Sequence, residues 1–131
     1  MSPAISFSIF RDRLLDGTKC QTIRKPRKRP LKMGDKLYVF WKLRTKECER
    51  LGTTRVINVE PKRGWSLTEE DAKKDGFVGT ELHSPRFVME EFFKLKYPQY
   101  SPSMLLEVIS FEPLKKDLTV SVKFGTFEEF W

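Results

Sequence analysis

Two runs of strand-forming residues constrain this chain more than anything else in its sequence. Leu37 to Leu43 gathers Tyr38, Val39, Phe40 and Trp41 into one stretch, and aromatic and β-branched side chains favour the pleated backbone. In Thr53 to Glu60, Thr54, Val56 and Asn58 alternate with Arg55, Ile57 and Val59, the period of two expected of a strand. Ile5 to Ser8, Gln21 to Lys25, Met104 to Phe111 and Leu118 to Phe124 read as further strands, with turns at Gly34-Asp35 and Pro61 to Gly64. Between them only short helices fit. Ser8 is placed to cap one over Ile9 to Asp16, with Phe10 and Leu14 as its stripe and Gly17 as its stop. Thr68 is placed to cap a second, with acidic residues in its first turn, lysines in its last and Gly76 closing it. Ser84-Pro85 opens the third, where Val88, Phe92 and Leu95 recur at helical spacing as far as Tyr97-Pro98. Strands outnumber helices without strict alternation. The class is therefore α+β, a small and mainly antiparallel β-barrel carrying two or three helices.

At 131 residues the chain is expected to form one domain over 1–131, large enough to bury its own core. Two cysteines, Cys20 and Cys48, and the single His83 offer no zinc-ligand spacing and no assembled nucleophile set, so neither metal nor cofactor is called for. The cysteines read as reduced thiols. No apolar run has the length of a membrane span, and the N-terminus lacks the apolar core of a signal peptide. A cytoplasmic protein without a membrane or an obligate protein partner is expected.

Charge is where the sequence points to a partner. From Arg11 to Lys36 there are ten Lys or Arg against Asp12, Asp16 and Asp35, a surplus of seven that equals the net charge of +7 for the whole chain. Local positive charge of this kind steers and holds phosphates, although a solvated basic loop serving solubility alone explains it too. Within the same stretch, Gly17-Thr18-Lys19-Cys20-Gln21-Thr22-Ile23-Arg24 opens onto Lys25-Pro26-Arg27-Lys28-Arg29-Pro30. A turn glycine, a lysine, a threonine and an arginine are thus crowded next to a cationic loop.

A helix ending in Gly-x-Lys-x-x-Thr-x-Arg, followed by Gly34-Asp35 entering a strand, resembles the ASCH domain (activating-signal-cointegrator homology) of the PUA-like fold. Arg55-Val56-Ile57-Asn58-Val59, then Leu67-Thr68 and Ala72-Lys73-Lys74-Asp75-Gly76-Phe77, continue the likeness, which covers roughly residues 4–113. Residues 114–131 have no counterpart and are expected to pack back on the barrel as an extension, or to meet another chain through their aromatics. The resemblance implies RNA-related function, through a cleft beside the Gly-Lys-Thr-Arg segment. It also admits enzymes: small amidohydrolases acting on acetylcytidine, and a metal-dependent ribonuclease. In the amidohydrolases a lysine, a threonine and a glutamate form the catalytic set. Here the resemblance puts the lysine on Lys19, the threonine on Thr22 and the motif arginine on Arg24, while the glutamate position falls near Asp75, one methylene shorter.

The chemistry is reasonable in itself. A threonine hydroxyl becomes a nucleophile when a neighbouring base takes its proton, and a desolvated lysine with lowered pKa can do so. A carboxylate can then orient the lysine or protonate the leaving amine. An ideal strand, however, would set Thr22 and Arg24 on one face and Lys19 on the other. RNA or a modified nucleoside is thus the expected partner, with Lys19, Thr22, Arg24, Lys25, Arg27, Lys28 and Arg29 as binding residues and Trp65 as an exposed base-stacking candidate. Catalysis by Lys19, Thr22 and Asp75 is the alternative. Cys20 between cations, His83, and Glu69-Glu70-Asp71 as a magnesium site are weaker candidates, each with a plain structural explanation.

Overall fold

The computed structural model describes residues 3–116. A long strand, β4 (Glu49–Arg63), organises everything else. Its first half pairs antiparallel with β3 (Lys36–Trp41), which in turn pairs parallel with β1 (Ala4–Phe7). Its second half pairs with β5 (Leu105–Phe111), which pairs with β2 (Gln21–Arg24). A shift in register between Val56 and Asn58 marks the change of partner, as expected where a bulge bends a strand. The order β1-β3-β4-β5-β2 is a curled mixed sheet, a half-barrel whose open seam lies between β1 and β2. The two-residue β6 (Lys115–Lys116) continues β5 and pairs with β4 at Thr53 and Gly52. The small α+β barrel expected from the sequence is the architecture observed.

Inside the curl, Ile5, Phe7, Leu14, Leu37, Val39, Val56, Ile109 and Phe111 form one core. Helices α2 (Glu69–Asp75) and α3 (Pro85–Lys96) cover the other face of the sheet, where Ile23, Leu67, Ala72, Phe77, Met89, Phe93, Leu106 and Val108 form a second. Strand β5 feeds both cores, because successive side chains of a strand point to opposite faces.

Local signals fix both of these helices. In α2, Thr68 Oγ1 accepts from the Asp71 N–H at 3.1 Å while Asp71 Oδ2 accepts from the Thr68 N–H at 2.9 Å, a reciprocal box satisfying two otherwise orphaned donors. In α3, Ser84 caps the Phe87 N–H and Pro85 occupies the first turn.

Three expectations need correction, and one falls outside the described residues. Helix α1 is only Arg11–Leu15, and Phe10 rather than Ser8 stands at its N-cap, in the left-handed region at φ 63° and without a side-chain cap. On α3 the core-facing pair is Met89 and Phe93, whereas Val88 and Phe92 are half-buried and Leu95 is 86% exposed. Residues 86–95 hold apolar side chains around much of the helix, so tertiary packing chose among several stripes. Thirdly, β4 extends beyond the expected Thr53 to Glu60 at both ends, starting at Glu49 and taking in Pro61 to Arg63, which carry the signature of a turn. Proline is tolerated there because β3 pairs only as far as Arg55, leaving Pro61 with one neighbouring strand. Finally, Pro113 and Leu114 are followed by a short strand; the rest of the C-terminal extension, including the expected strand over Leu118 to Phe124, lies outside the described residues.

Candidate functional site

The open seam of the half-barrel is closed by arginine side chains instead of a strand ladder. Arg24, at the end of β2, donates from Nη2 to the Ser6 carbonyl, and Arg27 donates to the Ala4 carbonyl at 3.2 Å. Both acceptors lie on β1. A small cleft opens in this seam, lined by Ser6 to Ile9 of the β1 end, by Lys19, Thr22, Ile23 and Arg24, and by Asp75, Phe77, Phe92 and Lys96.

Lys19 reaches the cleft because it precedes the regular strand. Gly17 turns the chain in the left-handed region at φ 83°, and the Lys19 N–H then bonds the Arg13 carbonyl at 2.9 Å. The alternation that would separate Lys19 from Thr22 starts only at Gln21, so both side chains line one cavity. Asp75 arrives from the last turn of α2. The next residue, Gly76, is left-handed at φ 113°, and a Cβ there would stand 3.0 Å from the Phe10 ring. The strained turn at Phe10 and the bare backbone at Gly76 therefore fit against each other, next to the Asp75–Lys19 contact.

Lys19 donates to Asp75 Oδ1 and to the Asp75 carbonyl, and both side chains are almost wholly buried. Burial, the dominant influence, lowers the Lys19 pKa against the attraction of Asp75; it raises the Asp75 pKa against the attraction of Lys19. Each partner is thus pushed toward its neutral form, and the cationic neighbours Arg24 and Arg13 reinforce the effect at Lys19. The Lys19 ammonium lies 5.3 Å from the Phe10 ring centre and 5.7 Å from that of Phe7. The Arg24 guanidinium covers Phe7 at 4.6 Å and donates from Nε to Thr22 Oγ1 at 3.2 Å. The Thr22 hydroxyl proton remains available to another acceptor. Among the described residues no hydrogen bond joins Lys19 to Thr22. The cavity itself is about 30 Å³, room for one water, so a larger ligand must stand at its mouth or move Lys96 and Phe92.

The remaining sequence candidates do not enter the cleft lining. Lys25 is exposed, with its ammonium 5.6 Å from the Tyr97 ring centre. Arg27 braces β1, while Lys28 and Arg29 face solvent. Trp65 is 64% exposed in a single 3-10 turn at the far end of β4, where its N–H bonds the Pro102 carbonyl at 2.8 Å. Burial raises the Cys20 thiol pKa, the opposite of what a nucleophilic thiol needs. His83 stacks on Phe87 at 4.2 Å, and Asp71 is spent on the Thr68 box and an ion pair with Lys62. Among the described residues no three His, Cys, Asp or Glu side chains are grouped to hold a metal ion, and no helix is long and apolar enough to cross a membrane.

Sequence reasoning missed Lys96, Phe7 and Phe92. A lysine in the last turn of a helix reads as favourable charge at the helix C-terminus, and nothing local shows that this turn ends at the seam.

No family model and no curated relative matches the sequence. Solved structures do. A crystal structure of an Enterococcus faecalis protein of the DUF984 family is similar at a TM-score of 0.59 and 22% identity, over 77% of this chain and 67% of that one. An ASCH domain from Lactobacillus crispatus is similar at a TM-score of 0.57 and 13% identity, over 85% of this chain and 79% of that one. With the half-barrel, the helices and the seam cleft already described, the chain carries the fold of an ASCH domain.

Proposed function

We propose that the seam cleft recognises RNA or a nucleoside, with Lys19, Thr22, Arg24 and Asp75 as its contact groups. The observation that carries this reading is the convergence of Lys19, Arg24 and Lys96 on one carboxylate, Asp75, in a cleft walled by Phe77 and Phe92. Cations outnumber the acid there, so the cleft favours anions, and its hydroxyl, carboxylate and ring faces suit a base edge and a base plane. Lys25, Arg27, Lys28 and Arg29 supply phosphate contacts beside it, and Trp65, 64% exposed just past the end of β4, offers a ring for base stacking. Purified protein should bind single-stranded RNA with a log–log salt slope of about −3 if about four phosphates are neutralised. Replacing Arg27, Lys28 and Arg29 by alanine should flatten that slope by about two. A slope near zero for the wild type would remove the phosphate-binding reading.

A second reading, amide hydrolysis on an acetylcytidine-type nucleoside, draws on the Lys19 amine. Its burial favours the neutral form that a general base requires. Thr22 Oγ would attack the amide carbonyl as Lys19 takes its proton, the amine leaves with a proton returned to it, and water then releases the acyl group from Thr22. Thr22→Val keeps shape and deletes the hydroxyl. Incubation with acetylcytidine followed by chromatography for cytidine decides: release by the wild type that collapses in Thr22→Val supports hydrolysis. No release above the Thr22→Val control, from neutral to mildly alkaline pH, leaves binding alone.

A further inference from the structure

The outward face of β3 and β4 plays no part in the cleft. Leu37 and Val39 are buried in the core, so Lys36, Tyr38 and Phe40 point the other way. Register sets Arg55 opposite Lys36, Thr53 opposite Tyr38 and Arg50 opposite Phe40, which puts all six on one surface. The Arg50 guanidinium lies 4.7 Å from the Tyr38 ring centre and the Lys36 ammonium 5.3 Å from it. β6 then adds Lys115 opposite Thr53. This approach depends on Gly52, where a Cβ would fall 2.1 Å from the Lys115 carbonyl oxygen. Next to these residues is a polar cavity of about 260 Å³, lined among others by Lys36, Thr53, Arg55 and Lys115, with Glu112 as its one acid.

The basic loop reaches the same layer. Arg27 donates to the carbonyl of Ala4, and Ala4 is paired with Tyr38 across the β1–β3 ladder. The loop is therefore moored to the edge of β1, one strand away from a half-buried aromatic ring framed by exposed cations.

We propose that this face is a second contact for nucleic acid, specifically a single strand, with a base stacked on the Tyr38–Arg50 layer and phosphates held by Lys36, Arg55 and Lys115. A ring and guanidinium plane on an open sheet accept any base face, and a duplex keeps those faces hidden in its own stack. The excess of cations over the single Glu112 matches a polyanion. The inference does not depend on the cleft: the two surfaces share none of the residues named for either contact.

Wild-type protein irradiated with a 4-thiouridine-containing oligouridine should give a crosslink on the peptide carrying Tyr38 and Phe40, read by mass spectrometry. Crosslinks confined to other peptides would overturn the inference. Lys96→Gln, which removes a cleft cation without touching β1, should leave the Tyr38 crosslink in place, and its disappearance would mean one site rather than two. By fluorescence anisotropy, Tyr38→Ala should weaken binding of an oligouridine dodecamer at least about fivefold, given the strength of base–aromatic stacking. Tyr38→Phe should bind like wild type, and heparin, which has no bases, should bind Tyr38→Ala unchanged. Equal losses for heparin and oligouridine would overturn stacking. Lys36→Gln with Lys115→Gln should reduce the salt slope by about 1.4, the value for two phosphates on a single strand held in addition to those at the cleft and loop, and an unchanged slope would remove the phosphate contacts.

Discussion

The seam cleft and the outward β3–β4 face both gather cations, but in opposite physical states. In the cleft, Lys19 is nearly buried, its ammonium is committed to Asp75, and Arg24 is tied to Ser6 and Thr22. On the outward face, Lys36, Arg50, Arg55 and Lys115 are exposed. Buried charges resist screening and hold fixed geometry, and breaking one is costly. Exposed charges are adaptable, screened by salt, and contribute little to folding. The same residue types are therefore suited to reading a ligand at the seam and to attracting one at the surface.

The largest test of this contrast is stability. Lys19→Met should cost about 3 to 5 kcal/mol, because it leaves Asp75 buried without its partner. The sign of its pH dependence follows. With Lys19 gone, Asp75 has a folded-state pKa above its unfolded one, so the stability it lends is present at acid pH and lost as pH rises through that folded value. Denaturant melts should find Lys19→Met closest to wild type near pH 4 and furthest from it at pH 8. A variant as stable as wild type at pH 8 would break the comparison.

Arg24→Ala comes next. It removes charge-assisted hydrogen bonds that bridge β1 and β2 and should cost about 2 kcal/mol. Hydrogen exchange of the β1 amides should rise while that of the β4–β5 ladder stays slow. Equal exchange everywhere would mean that arginine does not hold the seam.

For Asp71 the expectation concerns pH. Burial works to raise its pKa, but the Thr68 N–H and Lys62 outweigh it, and the net direction is down. A depressed carboxylate lends stability above its unfolded pKa and loses it as pH falls through the folded one. The gap between wild type and Asp71→Asn should close on acidification below about pH 4, near the carboxylate's unperturbed pKa. Thr68→Ala, which removes the other half of the box, should cost about 1 kcal/mol.

The smallest effect is expected on the surface. Lys28→Ala with Arg29→Ala should change stability by less than about 0.5 kcal/mol while lowering RNA affinity measurably at low salt. Loss of more than 1 kcal/mol in a melt would show that the loop is structural and would blur the distinction between the two regions.

Much of the fold was legible in the sequence, and the reasons are local. The β3 run, the Thr68 and Ser84 caps, and Gly17 and Gly76 past helix ends each act through neighbours a few residues away, so periodicity and cap chemistry suffice to find them. The apolar stripe of α3 was not legible. Val88-Phe92-Leu95 and Met89-Phe93 are equally helical in spacing, and only docking against Leu106 and Val108 of β5 selected the second. Nor was Phe10, whose left-handed turn is compensated by a ring packed edge-on to Phe77 at 5.1 Å and against Gly76.

By itself the sequence determined where polar and cationic side chains are grouped: Lys19, Thr22 and Arg24 stand in one short motif, and the basic loop adjoins it. Composition and spacing are properties of the chain, readable without coordinates. Tertiary structure decided that Asp75, 56 positions from Lys19 and grouped with it beforehand only through the family resemblance, is its buried partner. It also brought Lys96 from α3 to the same seam and set Lys115 beside Thr53. These meetings depend on how a curled sheet leaves one edge open and where two helices dock on it, and no local preference of the backbone encodes such long-range closure.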